Sequence, residues 1–323
     1  MVFAILSIAS VTGSVTSLAC RRDPEKVGPL PHEGTDEGTG DAKGDAVSKG
    51  PASAKSVAKP GELPGVDVAA LTPTEKQHLD TILEQQFSPC GDVVSVAQCV
   101  RDGRECARCL PEAQAAARLV RAGEDDAAIL EWLTNRFDDN LIRKIPVVGC
   151  ATEGASSARV PIVEFMDFEC PHCAAAGPIL RKIVADAKYA SVVSLTVKMF
   201  PLSTHLRAES AARAAVAADP QGKFFALYDL LLANQDHLEP ADLDKWARTA
   251  GVDFPKWKAA FNDPATKAHV TNDKKDGDAL GILGVPSIFI GGRRFDSIGQ
   301  TEVEKQLREW IDLDLALLGP LKK

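Results

Sequence analysis

Residues 160–168 read Val-Pro-Ile-Val-Glu-Phe-Met-Asp-Phe, apolar at almost every position rather than at every second one. Such a run, short and nearly continuous, fits a strand buried on both faces. It stops at Cys170, and from about Ala174 to Lys188 the apolar residues recur at helical spacing before a second strand-like run over 192–200. Strand, helix and strand in that order predict a βαβ unit. Helical patterns then fill 207–281, with Phe224, Leu227, Tyr228, Leu231 and Leu232 on one face, and read as an insertion. Val285-Pro286-Ser287-Ile288-Phe289-Ile290 is again strand-like. Gly291-Gly292 is a two-residue hairpin signal, and Arg293-Arg294-Phe295 is the returning partner. An amphipathic helix over about 301–317 closes the pattern, so this half of the chain, 158–318, is α/β with helices inserted over about 203–281.

Upstream the period is helical throughout. Thr72-Pro73-Thr74-Glu75 supplies a capping hydroxyl, a proline at the first helical position and a glutamate at the third, and Leu79, Ile82, Leu83 and Phe87 follow. Pro111 opens a second helix that ends near Gly123. Glu124-Asp125-Asp126 begins a third, with Leu130, Leu133 and Phe137 on one face. These define a small all-α module, about 66–145, joined to the α/β half by a connection from Pro146 to Arg159.

The first 65 residues differ in kind. Val2 to Val11 is a short apolar run followed by small polar residues and Ser17-Leu18-Ala19-Cys20, which predicts an export signal over 1–20. The segment resembles a bacterial lipoprotein signal, which implies lipidation of Cys20 and a membrane attachment. Residues 21–65 are Gly, Pro, Ser, Ala and charged residues with almost nothing to bury, and read as a flexible tether. With 45% hydrophobic and 25% charged residues among 323, most of the chain is expected to fold. A net charge of −8 and the absence of a basic helix exclude nucleic acid as a partner.

Eight cysteines are too few for a disulfide-stapled miniprotein, but six of them cluster at 90, 99, 106, 109 and at 170, 173. Cys170-Pro171-His172-Cys173 stands where the buried strand gives way to a helix. A sulfur there meets free backbone N–H groups and the positive end of the helix dipole, which favour thiolate over thiol, the attacking species. Pro171 suits the first helical turn, and His172 adds stabilisation to its neighbour if protonated. The alternatives for the pair are a structural disulfide or a metal site. The histidines, His205 among them, have no ligand spacing, so neither a metal nor a cofactor is expected.

On the tetrapeptide, the strand before it and the Val285-Pro286 step, residues 158–318 resemble the DsbA branch of the thioredoxin superfamily. The resemblance implies a thioredoxin fold with an inserted helical domain and thiol-disulfide oxidoreductase activity. Cys170 is then the exposed nucleophile and Cys173 the buried resolving cysteine. It further implies a cis Val285–Pro286 bond facing the site across the substrate groove, and a buried acid, Glu164, moving protons six positions before Cys170. A surface-facing Glu164 and a trans Pro286 in an ordinary turn are the alternatives. The expected partners are thiol-containing exported polypeptides and a membrane redox partner. The expected function is an oxidase on the periplasmic side of a bacterial membrane, against two alternatives: a reductase or isomerase using the same site, or a non-catalytic binding or metal-delivery module.

Cys90, Cys99, Cys106 and Cys109 leave three readings: two structural disulfides under a thin core, a zinc site, or a second redox pair of Cys106 and Cys109. If Cys20 is lipidated and both clusters pair internally, Cys150 is left as a free thiol or an intermolecular link.

Overall fold

A computed structural model describes residues 62–298 and 302–319. The expected signal over 1–20, the lipidation of Cys20 and nearly all of the tether therefore lie outside the described residues. The tether's expected end at 65 overlaps the folded part, because Leu63 is already buried in the module's core.

The α/β half is built on a five-stranded sheet in the order β1-β3-β2-β4-β5: β1 (Thr152–Gly154), β2 (Val160–Met166), β3 (Val193–Met199), β4 (Ser287–Ile290) and β5 (Arg293–Phe295). β2 pairs parallel with β3 and antiparallel with β4, so it is the central strand, and its side chains are buried on both faces apart from Pro161. That accounts for its unbroken apolar run. β1 lies inside what the sequence reads as a plain connection. Three residues of Thr-Glu-Gly carry no period, and their strand character comes from pairing with β3. Gly291 and Gly292 have φ of 58° and 83°, left-handed values that fit the tight turn joining β4 to β5.

α5 (Pro171–Ala185) crosses from β2 to β3, and α6 (Ala208–Ala218), α7 (Phe224–Ala233), α8 (Pro240–Thr249), α9 (Phe254–Asn262) and α10 (Pro264–Ala279) fill the insertion between β3 and β4. Together with α11 (Val303–Leu317) this is the thioredoxin fold with an inserted helical layer. α6 buries alanines at seven of its eleven positions, which lets α7, α9 and α10 approach closely around it. The period of two sorts β2: Ile162, Glu164 and Met166 share the face toward α5 and α7, while Val163 and Phe165 join Phe200 and Phe289 on the other. On that second face Lys198 is fully buried between Asp273 (2.8 Å) and Asp276 (3.0 Å) of α10.

The all-α module contains α1 (Pro73–Gln85), α2 (Val96–Arg101), α3 (Cys109–Ala122) and α4 (Asp126–Phe137). Thr72 and Glu75 form the expected capping box. α2 is an addition to the three helices expected, too short at six residues to show a period. The module docks on α11 and β5. Arg136 is 2% exposed, donates to Asp314 (2.7 Å) and stacks over the Trp310 ring, and Trp132 donates to the Asp296 carbonyl (3.0 Å).

Candidate functional site

Cys170 is the N-cap of α5, with extended backbone, and its carbonyl accepts from the N–H groups of Cys173 and Ala174, both at 3.1 Å. Pro171 occupies the first helical position, where its missing N–H costs nothing. This geometry turns the two cysteines in different directions. Cys173 points into the core and is fully buried, accepting from the Asp167 N–H at 3.5 Å. Cys170 faces the loop before β4, where its thiol donates to the Val285 carbonyl at 3.4 Å. Both are free thiols. The sequence leads one to expect an exposed Cys170. It retains only 5% of its surface, because the Val285-Pro286 loop packs beside it, while Pro171 and His172 are exposed. The Val285–Pro286 bond is cis.

Glu164 is completely buried. Its Oε2 accepts from the Tyr228 hydroxyl at 2.8 Å, and its Oε1 has no hydrogen-bond partner among the described residues. Burial raises its pKa to about 7, with the Tyr228 hydrogen bond pulling the other way. Burial, then the charge of Glu164, also pushes the Cys173 thiol up. Tyr228 reaches Glu164 over a helix made thin for it. A Cβ on Gly177 of α5 would lie 2.4 Å from the Tyr228 hydroxyl and 2.7 Å from Leu232.

Three contacts that the sequence reading missed fix the loop leading into Cys170. Gln235, just after α7, donates to the carbonyls of Phe168 (2.7 Å) and Cys170 (2.9 Å). Asp167 is buried and accepts from Leu202 N–H and from His205, both at 2.8 Å, so the histidine given no role in the sequence reading holds this loop. Glu169 accepts from the backbone and side chain of Arg207 at 2.6 and 2.9 Å. Between those two anchors Leu206 projects outward at 94% exposure, and Leu283, two residues before Val285, is 93% exposed. None of these residues belongs to a local motif, and only the alternation of charge and apolar residue in His205-Leu206-Arg207 hints at them.

The four module cysteines form two bridges, Cys90–Cys106 and Cys99–Cys109, so their sulfurs are not available as a zinc site. Cys150 is likewise disulfide-bonded, which corrects the reading of it as a leftover thiol. It lies 3.7 Å from the Lys198 ammonium. A second grouping of ligand-type atoms, Cys150 with His269 and Asp273, has its sulfur engaged in the same way.

The thioredoxin family model matches residues 148–312, just over half of the chain. Among curated proteins, the chain is 37% identical over 141 residues to the Na(+)/H(+) antiporter NhaA 3 of Salinispora tropica, covering 44% of this chain and 21% of that protein. The chain thus spans about a fifth of the length of the first curated relatives it matches. Among solved structures it is similar to a thioredoxin-like oxidoreductase from Silicibacter pomeroyi DSS-3 (25% identity, 50% of this chain and 90% of that one, TM-score 0.44). It is also similar to oxidised BdbD from Bacillus subtilis (18% identity, 54% and 97%, TM-score 0.48).

Proposed function

The chain belongs to the thioredoxin family, and from that premise we propose that it is a thiol-disulfide oxidoreductase that exchanges through Cys170 and Cys173, working as an oxidase on exported polypeptides. The observation that carries this reading is the division of labour between the two thiols: Cys170 caps a helix beside a cis-proline loop, and Cys173 is sealed beneath it next to a buried acid.

In the oxidised form of the pair, a client thiolate attacks Cys170 Sγ. The client–Cys170 bond forms, the Cys170–Cys173 bond breaks, and Cys173 leaves with the electron pair. Cys173 is a poor leaving group as a bare thiolate because burial disfavours its charge. A carboxyl with a pKa near 7 and an unpartnered oxygen is suited to supply the proton. The client's second thiolate then attacks its own sulfur in the mixed disulfide and expels Cys170. The client has lost two electrons and the pair has gained them, which yields the dithiol state seen here. Leu206 and Leu283, apolar and almost fully exposed on loops that contact the Cys170 segment, favour a polypeptide substrate over a small thiol.

Export is supported by the apolar run before Cys20 and by two bridges in the module, which persist in oxidising compartments. Among the described residues no helix is long and apolar enough to cross a membrane, and recycling in this reading depends on a membrane redox partner.

The test is a Cys173→Ser variant, expressed in a bacterium with an oxidising envelope. Partners bound covalently through Cys170 and released by reductant are expected, and a variant that captures none overturns the proposal. The reduction potential of the pair then fixes the direction of use: a value near about −120 mV supports an oxidase, and one near about −270 mV a reductase.

A further inference from the structure

Cys106 Sγ lies within 4.8 Å of both sulfurs of the Cys99–Cys109 bridge while itself bonded to Cys90. Two disulfides are therefore stacked with the middle sulfur poised between them. They differ sharply in access. Cys90 is exposed, whereas Cys99, Cys106 and Cys109 are 1%, 8% and 2% exposed. Cys90 opens on a cavity of about 680 Å³ whose wall also carries Arg108, Glu112, Phe137 and Asp139.

Glu112 gives this cavity an acid that the fold does not otherwise use. It is 1% exposed, its Oε2 has no hydrogen-bond partner among the described residues, and it stands one turn after Cys109, the first residue of α3. Burial raises its carboxyl to about 8, with Arg108 opposing. The buried Ser88 hydroxyl lies 3.5 Å from Cys109 Sγ and 3.9 Å from Cys99 Sγ, close enough to donate to a thiolate on either. A purely structural pair of bridges needs neither feature.

We propose that the helical module is a second thiol-disulfide exchange site, in which an external dithiol protein is oxidised at Cys90 and Cys106 passes the exchange to the buried Cys99–Cys109 bridge. A partner thiolate attacks Cys90 Sγ, forming the partner–Cys90 bond and releasing Cys106 as thiolate. Cys106 attacks Cys109 Sγ, forming a Cys106–Cys109 bond and releasing Cys99 beside Ser88. The partner's second thiolate attacks its own sulfur bound to Cys90 and releases Cys90. The partner loses two electrons and gains a disulfide. The module keeps one bridge, Cys106–Cys109, and gains thiols at Cys90 and Cys99, which take up the two partner protons. Glu112 holds one of them in transit.

This site is separate from Cys170. The cavity's Asp138–Asn140 wall is tied to Arg293, and Arg143 donates to the Gly292 carbonyl (2.7 Å), both at the hairpin end of β4, while Cys170 sits at the Val285 end. The test uses the full chain carrying Cys170→Ser and Cys173→Ser, titrated with dithiothreitol, alkylated and peptide-mapped. The expected two-electron-reduced species carries label on Cys90 and Cys99 and retains a Cys106–Cys109 bridge. A species labelled at Cys90 and Cys106, or bridges that open only together with loss of the helical circular dichroism signal, overturns the proposal. Adding Cys106→Ser should leave the Cys99–Cys109 bridge intact at dithiothreitol concentrations that open it otherwise, and equal opening also refutes the relay. Glu112→Gln should retain the fold and slow the transfer from the Cys90–Cys106 bridge to the Cys99–Cys109 bridge several-fold at pH 7, and an unchanged rate removes Glu112 from the scheme.

Discussion

Tyr228, in the inserted helical layer, donates its hydroxyl to Glu164 on the central strand across 2.8 Å, and among the described residues this is the one hydrogen bond that the buried carboxyl receives. The bond lowers the pKa of Glu164 against the larger effect of burial, so the insertion tunes the acid beneath Cys173. Tyr228→Phe should raise the Glu164 pKa above 7 and leave a buried acceptor unpaired, at a cost of about 1–3 kcal/mol in stability. The midpoint of the pH profile for oxidation of a dithiol peptide should move upward, and Glu164→Gln should abolish that midpoint with a fall in rate of roughly 100-fold. Stopped-flow measurements over pH 5 to 9 check both. A midpoint that stays put in Tyr228→Phe rules out the coupling.

The two buried acids also set the pH dependence of folding. Glu164 and Glu112 hold their protons more tightly folded, with pKa values of about 7 and about 8, than unfolded, where 4.5 applies. The folded state therefore binds more protons above pH 4.5, and stability falls as the pH rises, levelling off only above each folded value. The Glu164 contribution is about 3 kcal/mol lost between pH 4.5 and 7, and that of Glu112 about 5 kcal/mol lost between pH 4.5 and 8. Urea unfolding at pH 5 and 8 should show the loss, and the Glu164→Gln and Glu112→Gln variants should each flatten their own arm. Variants with wild-type slopes would place the protons elsewhere.

The βαβ core and the cysteine pair were legible because their signals are local: an unbroken apolar run for a strand covered on both faces, then a proline at the start of a helix. Glu164 was legible only through a family resemblance, since its burial depends on Tyr228, 64 residues away. Gln235, His205 and Arg207 were illegible because each acts on the Cys170 loop through contacts that span 38 to 67 residues. Lys198 looks out of place in β3 until Asp273 and Asp276 arrive from α10. β1 and α2, at three and six residues, span fewer than two repeats of the pattern that would betray them.

Gln235 is expected to position Cys170 without touching substrate. Its amide holds two carbonyls of the loop, Phe168 and Cys170, so Gln235→Ala removes two hydrogen bonds worth about 1–2 kcal/mol together. The loop amides of Glu169 and Cys170 should exchange hydrogen faster, and attack by a peptide thiol should slow while the circular dichroism spectrum is retained. Gln235→Glu, which keeps the length but loses the donors, should behave like the alanine variant. Normal exchange rates in both would deny the residue this role.

Leu206 and Leu283 separate a polypeptide oxidoreductase from one that serves small thiols. Both are more than 90% exposed, so replacing either with serine costs no core packing and should change stability by less than about 0.5 kcal/mol. Both also sit on loops tied to the Cys170 segment. Leu206 lies between the His205–Asp167 and Arg207–Glu169 contacts, and Leu283 lies two residues before the carbonyl that takes the Cys170 thiol. An extended client segment bound beside Cys170 would bury each leucine, at about 1.5–3 kcal/mol for full burial of such a side chain. The Leu206→Ser and Leu283→Ser double variant should therefore oxidise a reduced, unfolded protein at least 10-fold more slowly and leave the rate with glutathione unchanged. Equal slowing with both substrates would instead mean that the loops had shifted, and no slowing with either would leave the two leucines outside the substrate path.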